Sequence, residues 1–307
     1  MKIINWRNNY LSKLCLGTVQ FGLNYGISNN TGKTSKIEAN SILEFSESVG
    51  INCIDTAKVY GNSEEIIGDF IRHTSNNTFN VISKVNSEIL SSSEDILIDE
   101  INNSLDKLSI KSLFGLLLHD NSLLHNFSVE NKKSINKLKE LKLIENFGVS
   151  IYSDAEFLLA LNNDEIDIIQ IPFSLFDQRA ITKHWLKKAK EKNKLIFIRS
   201  IYLQGLILMD KDDLPSNLNT AKKYVEILDF ICNKLNITKN ELALSFVNTR
   251  AKDAIILFGC DSLTQAKENI SNFNNLVELD DETLTYLGKK LSNINENIYN
   301  PSKWSKK

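Results

Sequence analysis

Eight short apolar segments recur along the 307 residues of the chain, and a stretch with helical character follows each of them. Their hydrophobicity is continuous rather than alternating, which is typical of strands covered on both faces in a parallel sheet. Helices fit the gaps between them, for example at residues 35–50 and 221–236. The segments are KLCLGTVQ (13–20), GINCID (50–55), FNVISKV (79–85), SLFGLLLH (112–119), IENFGVS (144–150), IDIIQIPF (166–173), KLIFIRS (194–200) and AIILFG (254–259).

This order of elements predicts an α/β protein. No linker rich in Pro, Gly or Ser divides the chain, so the eight β-α units fit a single (β/α)₈ TIM barrel domain over residues 1–307. A doubly wound open sheet is the alternative. The first βα turn lacks the G-x-G-x-x-G fingerprint that such a dinucleotide-binding sheet normally carries, which favours the barrel. From about residue 293 the sequence NINENIYNPSKWSKK predicts a short polar C-terminal tail.

Charge and hydropathy restrict the partners of the chain. A net charge of −2 and a pI near 6.2 give no global attraction to nucleic acid or to anionic lipid. The stretch MKIINWRNNYLSKL has no apolar core of the length that a signal peptide needs, and no segment approaches the roughly 18 apolar residues of a membrane span, so we expect a cytoplasmic protein. The four cysteines lack C-x-x-C spacing, and we predict no metal site. The expected partner is a small molecule, and the sequence leaves the oligomeric state open.

Polar residues stand where the predicted strands end, which is where TIM barrels build their active sites. Asp55, Lys84 and His119 end the second, third and fourth strands. Tyr60 follows Asp55 by five residues, on a predicted loop. Taken singly, these residues have structural explanations, such as a turn cap for Asp55 or a packing role for Tyr60. Their combination on successive strands instead predicts a functional site.

The ordered set of motifs resembles the aldo-keto reductase family over nearly the whole chain. The motifs are LGTVQFG (16–22), DTAKVYG (55–61), SKV (83–85), LLLH (116–119), GVS (148–150), QGLIL (204–208) and FGCDSLTQAKENI (258–270). The resemblance implies an NAD(P)-dependent oxidoreductase that reduces an aldehyde or ketone to an alcohol by hydride transfer. The sequence is also similar to bacterial reductases associated with surface-polysaccharide biosynthesis, which implies a role in carbohydrate metabolism.

The chemistry of carbonyl reduction explains the residue types at the strand ends. The nicotinamide supplies only a hydride, so a protein acid must protonate the carbonyl oxygen, and the resemblance assigns this role to Tyr60. A tyrosine has a reference pKa near 10, and we expect the Lys84 ammonium to favour its phenolate. Asp55 would lower the cost of burying Lys84, while His119 would hydrogen-bond the substrate oxygen or relay a proton.

The resemblance also implies a set of cofactor contacts along the mouth of the barrel. These are Gly17, Thr18, Ser150, Gln170, Arg199, Gly205, Gly259, Ser262, Gln265, Glu268 and Asn269. Two positions depart from the family pattern. Ile151 stands where the family commonly has an asparagine, so one amide contact is absent, and Arg199 replaces the aromatic residue that often stacks on the nicotinamide. Stacking by the guanidinium, a ring supplied by Tyr202 and an anion site are three open explanations.

The choice between NADP and NAD stays open at this stage. Cys260 and Asp261 stand where basic residues usually hold the 2′-phosphate of NADP. An aspartate there would repel a phosphate and could accept from a ribose hydroxyl, which favours tolerance of NAD. Two alternatives remain: Lys267 could compensate from the following helix, or Asp261 could simply be the N-cap of that helix.

The loops give less information about the substrate. The segment GLNYGISNNTGKT (22–34) is polar, with Tyr25 as a wall of the pocket, and we expect a small polar or sugar-like carbonyl compound. Two other functions stay open. One is a nucleotide-binding regulatory or accessory barrel with little catalytic turnover, and the other is a lyase or isomerase that uses Lys84 as a Schiff-base amine.

Overall fold

A computed structural model describes residues 1–74 and 78–304 of the chain. Its strands β3 to β10 pair in parallel, each with the next in the chain, and β10 pairs with β3 to close the barrel. The predicted (β/α)₈ TIM barrel is therefore confirmed. The strands are β1 (Ile3–Trp6), β2 (Asn9–Ser12), β3 (Leu14–Gly17), β4 (Cys53–Asp55), β5 (Asn80–Val85), β6 (Leu113–Leu118), β7 (Ile144–Ser150), β8 (Ile168–Pro172), β9 (Leu195–Arg199) and β10 (Ile255–Phe258).

Helices surround the barrel and connect its strands. The sequence signals at their starts are explicit: α7 and α11 begin with capping boxes, in which a Ser or Thr hydroxyl and a Glu carboxylate each accept from the other residue's backbone N–H. The helices are α1 (Val19–Gly22), α2 (Lys36–Ser48), α3 (Ser63–His73), α4 (Ser87–Leu90), α5 (Glu94–Leu108), α6 (Val129–Glu140), α7 (Asp154–Leu161), α8 (Arg179–Thr182), α9 (Trp185–Glu191), α10 (Lys222–Leu235), α11 (Lys239–Arg250), α12 (Leu263–Asn274), α13 (Asp281–Leu291) and α14 (Glu296–Tyr299). Short 3₁₀ helices span Ser122–Asn126, Leu203–Leu208, Ser216–Ala221 and Pro301–Lys303.

Strands β1 and β2 form an antiparallel hairpin that the sequence did not predict. Trp6 of the hairpin packs against the apolar interior of the barrel, and its indole donates to the carbonyl of Asn193 at 3.2 Å. Arg7 forms an ion pair with Asp167 at 2.5 Å. Because Asn193 and Asp167 directly precede β9 and β8, the hairpin closes the amino-terminal end of the barrel. The opposite end, at the carboxyl ends of the strands, remains available for a site.

The strand register brings the predicted site residues to one rim. Gly17 lies beside Asp55, and Ser150 lies beside Gln170 on the neighbouring strand. Parallel strands point their carboxyl ends in one direction, so residues far apart in sequence meet there.

The segment after residue 292 was expected to be a short polar tail. Within it, α14 forms and the side chains of Ile294 and Ile298 are buried. The ring of Tyr299 lies under the guanidinium of Arg179 at 4.7 Å. The segment therefore packs on the barrel up to Trp304, and residues 305–307 of the expected tail lie outside the described part of the chain. Across the described ranges, no helix has the length and apolar character needed to cross a membrane.

Candidate active site

A cavity of about 620 Å³ opens at the carboxyl ends of the barrel strands. It brings together nearly all of the site residues that the sequence suggested. The residues that line it are Gly17, Thr18, Tyr25, Asp55, Tyr60, His119, Ser150, Gln170, Arg199, Gly205, Gly259, Gln265, Glu268 and Asn269. Lys84 lies beneath the cavity floor, where it contacts Asp55, and Ser262 caps α12 at the cavity edge.

The floor of the cavity holds a buried polar cluster. The Lys84 ammonium lies 2.5 Å from Oδ1 of Asp55 and donates to the carbonyl of Thr56 at 2.9 Å. The amide of Gln170 donates to Oδ2 of the same carboxylate at 2.8 Å. Asp55, Lys84 and Gln170 are each less than 5% exposed, so every hydrogen bond in the cluster offsets a desolvation cost.

Tyr60 lies above this cluster, and its backbone packs closely against the backbone of Gly22. A Cβ atom on Gly22 would lie 1.5 Å from the carbonyl oxygen of Tyr60, so that position requires glycine. The Tyr60 ring makes an edge contact with His119, with 6.0 Å between ring centroids and an interplanar angle of 83°. The Lys84 nitrogen lies 5.2 Å from the Tyr60 ring centroid. A phenol, an imidazole and an ammonium therefore share one corner of the cavity.

Burial and charge decide the protonation states in this corner. Burial raises the pKa of Tyr60 above its ordinary value, although the nearby Lys84 and Arg199 charges oppose this shift. The expectation that Lys84 would favour the phenolate describes only this opposing effect, because desolvation is the larger one. Burial lowers the pKa of His119, and the charges of Lys84 and Arg199 act in the same direction. At neutral pH the corner therefore holds a protonated phenol and a neutral imidazole.

The ammonium of Lys84 keeps its proton. Burial alone would lower the pKa of Lys84, but the Asp55 carboxylate beside it raises the net pKa above the ordinary value. The Lys84 nitrogen donates both of its hydrogen bonds, one to Asp55 and one to the Thr56 carbonyl. A protonated amine is not a nucleophile, so this geometry gives no support to a Schiff-base role.

Arg199 has a set of neutral partners. Its Nε donates to the Ser150 hydroxyl at 3.2 Å, and Nη2 donates to the carbonyl of Ile151 at 3.0 Å. The guanidinium carbon lies 4.2 Å from the ring centroid of Tyr152. Tyr202, which one of the three explanations for Arg199 used, also lines the cavity, and its hydroxyl hydrogen-bonds Asn269 of helix α12 at 2.7 Å.

The start of α12 is acidic rather than basic. Ser262 is the N-cap of the helix, so Asp261 is not, and the Asp261 carboxylate instead accepts from the amide of Asn29 at 3.1 Å. The carboxylate of Glu38 accepts from the backbone N–H of Leu263 at 2.6 Å. The Lys267 ammonium lies over the ring of Phe45 on α2, 5.6 Å from its centroid, and does not line the cavity.

A strap, defined as residues 23–34, crosses one side of the cavity. The backbone N–H of Ile27 donates to the carbonyl of Gln204 at 3.0 Å. Gly205 has φ +98°, and a Cβ atom there would lie 2.0 Å from the Ser28 hydroxyl, so glycine permits both the backbone conformation and the contact. The strap carries Tyr25 into the cavity lining. Through these contacts the strap, which follows β3 and α1 in the chain, packs against the loop that follows β9.

Several cavity residues were not among the predicted ones. They include Ser28, Tyr152 and Asn240. Tyr152 lies two residues beyond the end of β7, and this position could have suggested it. Ser28 belongs to the polar segment 22–34 that was expected to border the pocket, whereas Asn240 reaches the cavity through folding that no sequence motif marks.

A closed parallel barrel with a buried polar cluster at its open mouth is the arrangement typical of (β/α)₈ enzymes. The sequence model of the aldo/keto reductase family matches residues 13–292 of the chain. The protein therefore belongs to the aldo/keto reductase family of oxidoreductases.

Individual relatives agree with this assignment. An NADH-specific methylglyoxal reductase of Escherichia coli is 26% identical over 305 residues, covering 88% of this chain and 92% of that protein. An aldo-keto reductase from Bacillus halodurans, in its holo form, superposes with a TM-score of 0.77 at 19% identity over 99% of both chains. An aldo/keto reductase from Klebsiella pneumoniae in complex with NADP and acetate gives a TM-score of 0.72 at 19% identity over 95% of this chain and 96% of that one. At 19% identity, each of these two solved structures shows that this chain shares its fold.

Proposed function

We propose that the protein is an NADH-preferring reductase of small polar carbonyl compounds, with Tyr60 as the general acid. One observation carries this proposal: the buried cluster of Lys84, Asp55 and Gln170 lies directly beneath the corner formed by Tyr60 and His119. A buried ion pair is costly to maintain, and it has a clear use where it tunes a titrating phenol.

The proton chemistry follows from the protonation states in the corner. A bound nicotinamide would supply the hydride to the carbonyl carbon. Tyr60, protonated at neutral pH, donates its proton to the carbonyl oxygen. The neutral imidazole of His119 donates a hydrogen bond to the same oxygen and stabilises its developing negative charge. Lys84 then stabilises the phenolate that remains, and Asp55 holds Lys84 in place.

The residues of the cavity suit a nicotinamide nucleotide. The Oε1 atom of Gln20 is buried beside the cavity and has no hydrogen-bond partner among the described residues, so it can accept from a ligand hydroxyl or amide. Ser150 and Gln170 would hold the amide end of the cofactor, and Glu268 and Asn269 the adenosine end, with Gly17, Thr18, Gly205, Gly259, Ser262 and Gln265 between or beside them.

The preference for NADH rests on the charge at the start of α12. Asp261 lines the cavity there, and the Glu38 carboxylate already accepts from the first helical N–H. A 2′-phosphate would meet the Asp261 carboxylate in place of a basic residue and would find a helix N–H already bonded to Glu38, whereas a ribose hydroxyl can donate to Asp261. The Escherichia coli relative is named as NADH-specific, which agrees with this preference.

The substrate is proposed from the polarity of the cavity. Its lining includes Tyr25, His119, Ser150 and Arg199 beside apolar side chains, and these four polar groups offer hydrogen-bond partners to a hydroxylated or charged compound. A sugar-like aldehyde or a small oxoaldehyde fits this description, in agreement with a role in carbohydrate metabolism and with the surface-polysaccharide resemblance. We place the enzyme in the cytoplasm, where reduced nicotinamide nucleotides are available.

A nucleotide-binding accessory barrel is the second candidate, and one observation favours it. Arg199 donates a hydrogen bond to the hydroxyl of Ser150, and by family resemblance this hydroxyl would instead bind the cofactor amide. Under this alternative the protein binds nucleotide and turns over slowly or not at all.

A reduction assay separates the two candidates. The purified protein would be mixed with NADH or NADPH and a panel of sugar aldehydes, oxoaldehydes and aromatic aldehydes, while nucleotide oxidation is followed by absorbance. We expect turnover with at least one polar aldehyde and a higher kcat/KM with NADH. Tight nucleotide binding without oxidation by any compound would instead support the accessory role.

A further inference from the structure

The charge of Arg199 is unpaired at the mouth of the barrel. No carboxylate forms an ion pair with its guanidinium within residues 1–74 and 78–304. Its partners are instead the Ser150 hydroxyl, the Ser200 hydroxyl at 3.2 Å, the Ile151 carbonyl and the face of Tyr152. A half-buried guanidinium with only neutral partners retains most of its attraction for an anion.

The guanidinium is also held in position from behind. Arg179 donates to the backbone carbonyl of Tyr152 at 2.6 Å, and Asp177 pairs with the same Arg179. These contacts position the backbone of Tyr152, and the hydrogen bonds of Arg199 to Ser150, Ser200 and Ile151 restrict its guanidinium. Arg199 can therefore bind a ligand with little further loss of conformational freedom. Three of the five guanidinium N–H groups are engaged by Ser150, Ser200 and Ile151, which leaves donors for a ligand.

Arg199 lies in the same cavity as the two side chains that are proposed to act on the carbonyl oxygen. Arg199 lines the cavity together with Tyr60 and His119. It is near enough for its charge to lower the pKa of His119, after the larger effects of burial and of Lys84, and to oppose the rise caused by burial in the pKa of Tyr60. A group bound to Arg199 would therefore belong to the same small molecule whose carbonyl oxygen reaches Tyr60.

We infer that Arg199 is a specificity-determining residue that binds an acidic group of the carbonyl substrate, so that the preferred substrates carry a carboxylate or a phosphate near the aldehyde or ketone. This inference rests on the proposed function and narrows its substrate class. An anionic group could also come from the cofactor, whose phosphates have the same chemistry. The location beside Tyr60 and His119 favours the substrate.

Matched pairs of substrates test the inference. Succinic semialdehyde and its methyl ester form one pair, and 4-carboxybenzaldehyde and its methyl ester form another, because each pair differs mainly in charge. The ratio of kcat/KM for the acid to that for the ester is measured within each variant, so effects on the cofactor cancel. We expect the wild-type protein to favour the acid, and Arg199→Gln to lower the ratio about 10-fold to 100-fold, as for a lost charge-assisted hydrogen bond.

Two further variants define the cause of this change. Arg199→Lys keeps the charge and loses the planar fork, and we expect an intermediate ratio. Arg250→Gln removes an exposed charge at the end of α11, and its ratio should equal that of the wild type. Equal ratios in the wild type and in Arg199→Gln would overturn the inference. A loss of NADH affinity in Arg199→Gln with an unchanged ratio would assign Arg199 to the cofactor phosphates and would also overturn it.

Binding of an unreactive acid separates this inference from the proposed function. Calorimetry with 4-(hydroxymethyl)benzoate and with its methyl ester, on protein mixed with NADH, needs no turnover. We expect the acid to bind more tightly than the ester in the wild type and equally in Arg199→Gln. If no aldehyde were reduced, the proposed function would fail, and this titration would still decide whether Arg199 binds an anion.

Discussion

The amide of Gln170 donates to the carboxylate of Asp55 at 2.8 Å, across 115 positions of sequence. The second oxygen of that carboxylate receives the Lys84 ammonium, so the carboxylate is fixed from two sides. Family resemblance assigned Gln170 to the cofactor alone. In this structure one of its N–H groups also belongs to the buried cluster of Asp55 and Lys84, while Gln170 still lines the cavity.

Replacement of Tyr60 by phenylalanine should abolish carbonyl reduction. The substitution removes the proton donor and keeps the ring that packs against His119. We expect kcat to fall by at least about 100-fold, within the usual contribution of general acid catalysis. The affinity for NADH, measured by fluorescence titration, should change less than twofold. A kcat close to that of the wild type would refute the assignment of Tyr60.

The buried Lys84 and Asp55 pair should show strong coupling in stability. Lys84→Met leaves a buried carboxylate without its cation, which typically costs about 3–5 kcal/mol of unfolding free energy. A second substitution, Asp55→Asn, should recover part of that loss. Denaturation in urea gives the free energy of unfolding of each variant. The exposed Lys58 and Glu100 pair is the control, and Lys58→Met should cost less than about 1 kcal/mol. Additive effects of the Lys84 and Asp55 substitutions would contradict the coupling.

The reduction rate should be nearly constant from neutral pH up to about pH 9 and should fall above the raised pKa of Tyr60. Burial is the main cause of that shift, so the phenol stays protonated throughout this range. The reverse oxidation of an alcohol should instead accelerate as the pH rises, since it needs the phenolate. Profiles of kcat/KM in both directions provide the measurement. A reduction rate that falls already between pH 7 and pH 8 would be inconsistent with a raised pKa.

Protein stability should decrease as the pH falls below about 6.5, in part through His119. Burial lowers the pKa of His119 in the folded protein, so the unfolded chain binds more protons in the window between the lowered value and the ordinary one. The contribution is present above that window and is lost as the pH falls through it. Thermal unfolding of His119→Gln should show a shallower acid-side loss. His125→Gln, which removes an exposed histidine, should retain the wild-type slope.

Nucleotide preference should respond to Asp261. Asp261→Arg replaces a carboxylate in the cavity lining with a cation, and we expect the ratio of NADPH to NADH affinity to rise at least about tenfold. Asp253→Arg makes the same charge change on an exposed loop and should leave the ratio unchanged. An Asp261→Arg protein with the wild-type ratio would show that the 2′-position does not lie near Asp261.

The barrel and the arrangement of polar residues at its mouth were predictable from the sequence. Eight apolar segments of strand length, separated by helical stretches, fit few folds, and the strand ends in such a fold converge. Asp55 ends β4, Lys84 is the last residue but one of β5 and His119 directly follows β6, so their meeting required only the strand order.

Other features depend on packing that local patterns do not record. The hairpin of β1 and β2 has strands of four residues with polar positions in both, too short for a clear period. The contact of Arg199 with Ser150 joins two strands that are not adjacent in the barrel. The net pKa of Tyr60 follows from its desolvation, which appears only when the loops have closed around the cavity.

The hairpin that closes the amino-terminal end of the barrel has a consequence for biosynthesis. Trp6 bonds to Asn193, and Arg7 pairs with Asp167, although both partners are translated much later. The hairpin therefore lacks part of its docking site until residue 193 has been translated, so its docking is a late step in the folding of the barrel.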